Sequence, residues 1–193
     1  MILKAFNLTF FLKFLSILQF DVSIFFLLII VFSAVITDVV SNKIPNILVV
    51  FGIVLAFYFQ VFHVSGYGFF VWLTGLLTGF AIFLPFYFVR GMAAGDVKLM
   101  ATVGAFVGWG MALKIALLTC VFGGIIGIVY ILVKGRLVQA FRNIGLILMP
   151  VFMRSIGVSM ELTDISKQSV GHMPYAVAIA LGTLTTLYMQ YWY

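Results

Sequence analysis

Charge is what this sequence has least of. Lys, Arg, Asp and Glu make up 8% of its 193 residues, and only five of those residues are acidic. A soluble domain carries roughly 25% charged residues. Here 65% of the chain is hydrophobic and the mean hydropathy is +1.28. That much apolar surface excludes a water-soluble globule and points to a polytopic membrane protein. Cysteine is nearly absent. Cys120 stands alone in an apolar run, so there is no internal disulfide and no CxxC pair to hold zinc. Its simplest role is that of a small buried apolar residue. Alternating polar positions are also missing. Runs such as "SIFFLLIIVFSAVI" exclude a β-barrel, and backbone groups in lipid must then be paired inside helices. No linker, repeat or low-complexity tract appears. The expectation is one all-α, membrane-embedded domain over 1–193.

What is present is a series of apolar runs near the roughly 20 residues a bilayer requires. They predict six transmembrane helices over Val22–Thr37, Asn46–His63, Tyr67–Val89, Val97–Ala112, Ile115–Val133 and Pro174–Trp192, with a break at Lys114 between the fourth and fifth. The opening segment, 1–21, is not read as a signal peptide. Lys13 interrupts its apolar core and no A-x-A site follows. It reads as an interfacial helix, with Asp21 as the N-cap of the first span.

The net charge of +6, with 11 basic residues, would suggest nucleic acid in a soluble protein. In this chain it is a topology signal, and no nucleic-acid partner is expected. Lys43, Arg90, Lys98, Lys134, Arg136, Arg142, Arg154 and Lys167 fall on one side of the six spans. Lys4, Lys13 and Lys114 fall on the other. The basic side is expected to be cytoplasmic. The 134–173 loop, with its apolar "LILMPVFM", is expected to lie on the membrane surface against lipid, with a partial re-entrant segment as the alternative. Gly75 with Gly79, Gly104 with Gly108, and Gly123 with Gly127 have the spacing of close helix packing, more simply inside the bundle than between copies.

Of the acidic residues, Glu161 and Asp164 belong to the polar "SMELTDISKQ" stretch and read as solvated. Asp38 in "VITDVVSNKIPN" and Asp96 in "GMAAGDVKLM" remain. Asp38 closes the first span and Asp96 opens the fourth. Two crossings separate them, so parity returns both carboxylates to the same, basic, face. Asp96 sits where a helix dipole favours negative charge and Asp38 where it opposes one. The residues alone leave two readings open. One is a helix-end charge and a simple N-cap. The other is a working pair in which one carboxyl holds a proton and the other acts as base, activating water without metal or covalent intermediate. The polar turn "SNKIPN", with Pro45 suited to the start of a helix, and the small residues of "AAG" tilt the balance toward the pair.

Those stretches carry a family resemblance. The chain resembles the type IV prepilin peptidases, membrane aspartic proteases with a GxGD motif, and within them the short branch associated with Flp-type (Tad) pili. "TDVVSNKIPN" is similar to that family's Asp, basic turn and I-P-N. "AAGDVKLMA" is similar to its G-x-G-D-x-K-L, and "MPYAVAIALG" to its P-Y-x-x-A-I-x-x-G. The resemblance covers about Ser33 to Gly182. It implies that Asp38 and Asp96 are the catalytic pair, with Gly95, Lys98, Pro45 and Asn46 at supporting motif positions. It implies no cofactor and no metal. The implied activity is endopeptidase cleavage of the basic leader from a prepilin, at the cytoplasmic face of a bacterial inner membrane. Such a substrate has a glycine before the cut and an apolar helix after it. The cysteine-bearing N-terminal domain of long members is missing, and N-methylation of the cut pilin is not expected. The chain departs from the pattern at Ala93, which stands where GxGD has its first glycine. That departure costs activity if the position needs positive φ and nothing if it needs only small volume.

Other readings concern single residues or another class. His63 and His172 fall on opposite faces by parity and are not expected to share a metal. Lys98 alone reads as an interfacial basic residue, and Tyr175 and Gln60 are polar groups whose partners the sequence does not name. Paired membrane carboxylates also serve proton-coupled transporters, which favour mid-span or broken-helix positions. A non-catalytic subunit of a pilus or secretion assembly would tolerate loss of either aspartate.

Overall fold

The computed structural model describes residues 2–63, 66–88, 91–133 and 175–192. These residues form α1 (Ile2–Ser41), α2 (Asn46–His63), α3 (Gly68–Phe88), α4 (Ala94–Val107), α5 (Trp109–Val133) and α6 (Tyr175–Trp192), with no strand among them. The all-α expectation holds, and the protein is a helical membrane bundle. Val22–Ser41, Gly68–Phe88 and Trp109–Tyr130 are long and apolar enough to cross a bilayer, and Asn46–Phe62 is a shorter apolar helix. Arg90 and the basic loop, with Glu161, Asp164 and His172, lie outside the described residues. The chain divides into two compact units, 1–123 with 174–193, and 124–173. The described part of the second is the end of α5. Everything below concerns the first.

Two expected boundaries are corrected. α1 runs unbroken for 40 residues, so Asp21 lies inside a helix and is no N-cap. The reason is local: no glycine or proline occurs between Ile2 and Ser41, and nothing there ends a helix. The break after α4 falls at Gly108 and not at Lys114. Gly108 has φ 78°, and its N–H bonds the carbonyl of Gly104 at 2.9 Å. A positive φ is the conformation that glycine adopts freely. Lys114 is one residue in the second turn of α5.

Helical periodicity sorts each surface. Leu27, Val31, Ala34 and Asp38 of α1 are buried, at spacings of four, three and four. Phe25, Ile29, Phe32 and Ile36 are exposed, as a lipid-facing stripe should be. Asp38 therefore rides on the inward face of its helix. α4 is different, because almost every residue from Asp96 to Phe106 is buried, Lys98 excepted. At ~1.5 Å per residue its 14 residues span about 21 Å, less than a hydrocarbon core of about 30 Å. Packed among α1, α2, α3 and α6, it has protein for its surroundings and does not need the length of a lipid-facing span.

Glycines permit that crowding. A Cβ at Gly79 would fall on the carbonyl oxygen of Met100, and one at Gly75 on that of Gly104. Here backbone meets backbone, with no flexible side chain to yield. Gly79→Ala is expected to lower stability by about 1–3 kcal/mol, the usual cost of overpacking, read as a lower unfolding midpoint in detergent. Of the expected glycine pairs, Gly75, Gly79 and Gly104 pack inside the bundle, whereas Gly108 is a helix cap.

Candidate active site

The site starts with the last turn of α1. Asp38 is 2% exposed. Its own carbonyl accepts a 2.8 Å hydrogen bond from the N–H of Asn42, which takes φ 52°. That is the left-handed helix stop that asparagine tolerates. The chain then turns through Lys43 and Ile44 to Pro45, whose carbonyl accepts the N–H groups of Leu48 and Val49 at 3.1 and 3.4 Å. Pro45 thus occupies the N-cap position of α2, immediately before Asn46.

Asp96 is 3% exposed and lies in the first turn of α4. Its Oδ2 accepts the N–H of Ala93 at 3.2 Å, and its own N–H donates to the Ala93 carbonyl at 3.2 Å. This is the carboxylate half of a capping box, on the helix end where the dipole favours negative charge. The structural role in the simpler reading is therefore real. Ala93 sits at φ −79°, ψ 153°, an extended conformation that any residue adopts. Alanine meets no strain where the motif has glycine.

The α1–α2 turn and the α4 first turn are clamped together. A Cβ at Gly95 would stand 3.2 Å from the Ile44 Cβ, tighter than an ordinary contact. Beside it the Lys98 Nζ donates to the Asn46 Oδ1 at 3.0 Å on the exposed side. So Gly95, Lys98, Pro45 and Asn46, singled out from two motifs some 50 positions apart, meet at one end of the bundle. His63 lies at the far end of α2, away from this cluster.

A third element completes the site. The N–H of Ala176, in the first turn of α6, donates to the Asp38 Oδ2 at 3.2 Å. First-turn amides have no intrahelical partner and carry the positive end of the dipole. α6 thereby offsets the unfavourable C-terminal end of α1 at which Asp38 sits. One residue earlier, the Tyr175 ring meets Phe83 of α3 edge-on and its hydroxyl lies against Gly123 of α5. Sequence reasoning named neither contact. Ala176 acts through its backbone, which leaves no signature, and Tyr175 stood in a motif with no partner named. Gln60, also without a named partner, donates to the carbonyl of Phe106 and joins α2 to the end of α4.

Chemically, the arrangement offers two buried carboxylates at one end of a bundle, each steadied by a backbone amide. Such groups can divide the roles of general base and general acid. Among the described residues no three His, Cys, Asp or Glu side chains cluster closely enough to hold a metal.

No curated protein and no solved structure matches the chain. A family model described as the type IV leader peptidase family matches residues 25–128, more than half of the chain. The matched stretch runs from within α1 to within α5 and contains Asp38, the α1–α2 turn and Asp96. The "MPYAVAIALG" segment lies beyond it, and from Tyr175 onward it forms the start of α6, whose Ala176 amide reaches Asp38. With this match and the helical membrane fold, the chain is a membrane protein that belongs to the type IV leader peptidase family.

Proposed function

We propose that the protein is an aspartic endopeptidase. In this reading Asp38 and Asp96 cleave the basic leader from type IV, Flp-like prepilins at the cytoplasmic face of a bacterial inner membrane. The observation that carries this is that Asp38 and Asp96, 58 positions apart in sequence, are both buried at helix ends that meet at one end of the bundle, where Gly95 abuts Ile44 and Lys98 bonds Asn46. A pair of helix-end charges with no shared task would not need to be buried, and burial of a charge is costly.

In the proposed reaction, one carboxylate takes a proton from water as the water oxygen attacks the scissile carbonyl carbon. The other carboxyl gives its proton to the carbonyl oxygen, producing a tetrahedral diol. That second carboxylate then recovers a proton from the diol while the first delivers its proton to the nitrogen. The C–N bond breaks, and a carboxylic acid, an amine and the original protonation state of the pair remain. Asp96 is held by Ala93 and Asp38 by Ala176, so the carboxylates enter this cycle already oriented.

The site's position suits the substrate. A prepilin carries an apolar helix that lies in lipid and a basic leader that lies in water, so its cut falls at the interface where helix ends sit. The end bearing Lys43 and Lys98 is the cytoplasmic one in this reading, as the positive-inside rule expects of a basic end. The test is co-expression with a pilin carrying a basic leader, comparing the wild type with Asp38→Asn and Asp96→Asn. Continued processing by either variant rejects the shared-pair mechanism, and with it favours a transport or assembly role.

A further inference from the structure

The start of α6 is seated by an unusual contact. A Cβ placed on Gly123 of α5 would fall on the Tyr175 hydroxyl and stand 2.5 Å from its Cζ and 2.8 Å from its Cε2. The ring therefore occupies the volume a side chain at position 123 would fill. On another side it meets Phe83 of α3 edge-on, with ring centroids 6.4 Å apart and planes at 76°. Two turns further along α6, a Cβ at Gly182 would fall on the Thr119 hydroxyl. α5 and α6 thus approach each other at two glycine notches. Only the first lies at the aspartate end.

We propose that Tyr175 is a positioning residue for cleavage: its ring, wedged into the Gly123 notch, fixes the first turn of α6 so that the Ala176 amide meets the Asp38 carboxylate. This rests on the catalytic reading of Asp38. The mechanical logic is short. Ala176 follows Tyr175 directly, so the rotation and height of α6 at Tyr175 set the aim of the next amide. A wedge against α5 and Phe83 constrains both. Without it the turn keeps its covalent place but loses its register against α1. Displacements of about 1 Å at a reacting group can cost about a hundredfold in rate.

The experiment measures kcat and KM for a synthetic prepilin, with a basic leader, a glycine before the cut and an apolar helix after it, using full-length protein in membranes. Tyr175→Ala and Gly123→Ala are expected to lower kcat about tenfold or more, with KM within about twofold, because the lost item is alignment and not substrate contact. Tyr175→Phe keeps the ring in the notch and is expected to restore at least about half of kcat. In the Gly123→Ala background, Tyr175→Phe is expected to recover part of the loss, since the hydroxyl is the atom nearest the new methyl. Such non-additivity marks a direct contact.

Wild-type kcat in folded Tyr175→Ala or Gly123→Ala overturns the proposal. So does a change in KM alone, or a Tyr175→Phe variant as impaired as Tyr175→Ala. If neither alanine variant accumulates, Tyr175→Leu decides by the same criteria, since it keeps apolar bulk and lacks the ring. Asp38→Asn is assayed in parallel. If it cleaves normally, the catalytic reading fails first. If it is inactive while Tyr175→Ala keeps wild-type kcat, only the positioning role falls.

Discussion

Asp38→Asn and Asp96→Asn are each expected to reduce leader cleavage by about 10³-fold or more, and the double variant to be scarcely worse than either single one. Single general acid–base groups contribute roughly 10²–10⁴-fold, and groups that act as a unit lose their contributions together. Asparagine separates chemistry from architecture. At position 38 it keeps a side-chain oxygen for the Ala176 amide, and at position 96 it keeps one for the Ala93 amide. Asparagine caps helices about as well as aspartate, so both variants are expected to accumulate and to unfold close to the wild-type midpoint. What each loses is the ability to exchange a proton. Cleavage of the co-expressed pilin, followed by the mobility and mass of the product, checks this. If either single variant processes pilin while the other does not, the carboxylates do not share the reaction.

The second large effect concerns a group with no side chain in the chemistry. Ala176→Pro deletes the N–H that reaches Asp38. Proline is tolerated in a first helical turn, where the amide has no intrahelical partner, so the body of α6 survives, while the preceding Tyr175 is pushed toward extended backbone and contributes to the loss. A hydrogen bond to a charged group contributes roughly 1.5–3 kcal/mol. If that orientation is needed in the transition state, the loss in kcat is about 10- to 100-fold. Ala176 is fully buried, so a thermal melt accompanies the assay, to separate a crowded ring from a lost donor. Wild-type kcat in a folded Ala176→Pro protein would show that Asp38 does not depend on α6.

How much of this was legible in the sequence depends on the kind of signal. Composition and run length identified a membrane bundle because they report the solvent directly. The expectation that the two aspartates share a face came from counting crossings, whereas the inward placement of Asp38 had no signal, since the exposed Phe25, Ile29 and Phe32 are as apolar as the buried Leu27, Val31 and Ala34. The end of α4 was misread because Lys114 looked like punctuation. A lysine near a helix start can sit in the helix, whereas Gly108, taken for a packing residue, makes the turn. Asp21 resembled a cap because an apolar run follows it. Yet the residues before it contain no breaker, and α1 simply continues. The Ala176–Asp38 bond joins positions 138 apart through a backbone amide, and Gly123 meets Tyr175 from a distant part of the sequence. Neither has a local pattern to read. The concern over Ala93 dissolved only when its backbone was seen to be extended.

The placement on which all else stands is that both acids reach the same end of the bundle, close enough to act on one bond. A cysteine pair measures this directly, since the chain's single native thiol, Cys120, is removed by one substitution. In a Cys120→Ser background, Asp38→Cys with Asp96→Cys is treated in native membranes with a short bis-thiol reagent and weighed by mass spectrometry. One linker per chain with no free thiol remaining is expected, along with labelling of both thiols by a membrane-impermeant reagent from the same side. Thiols that never join, and that are labelled from opposite sides of the bilayer, would contradict it.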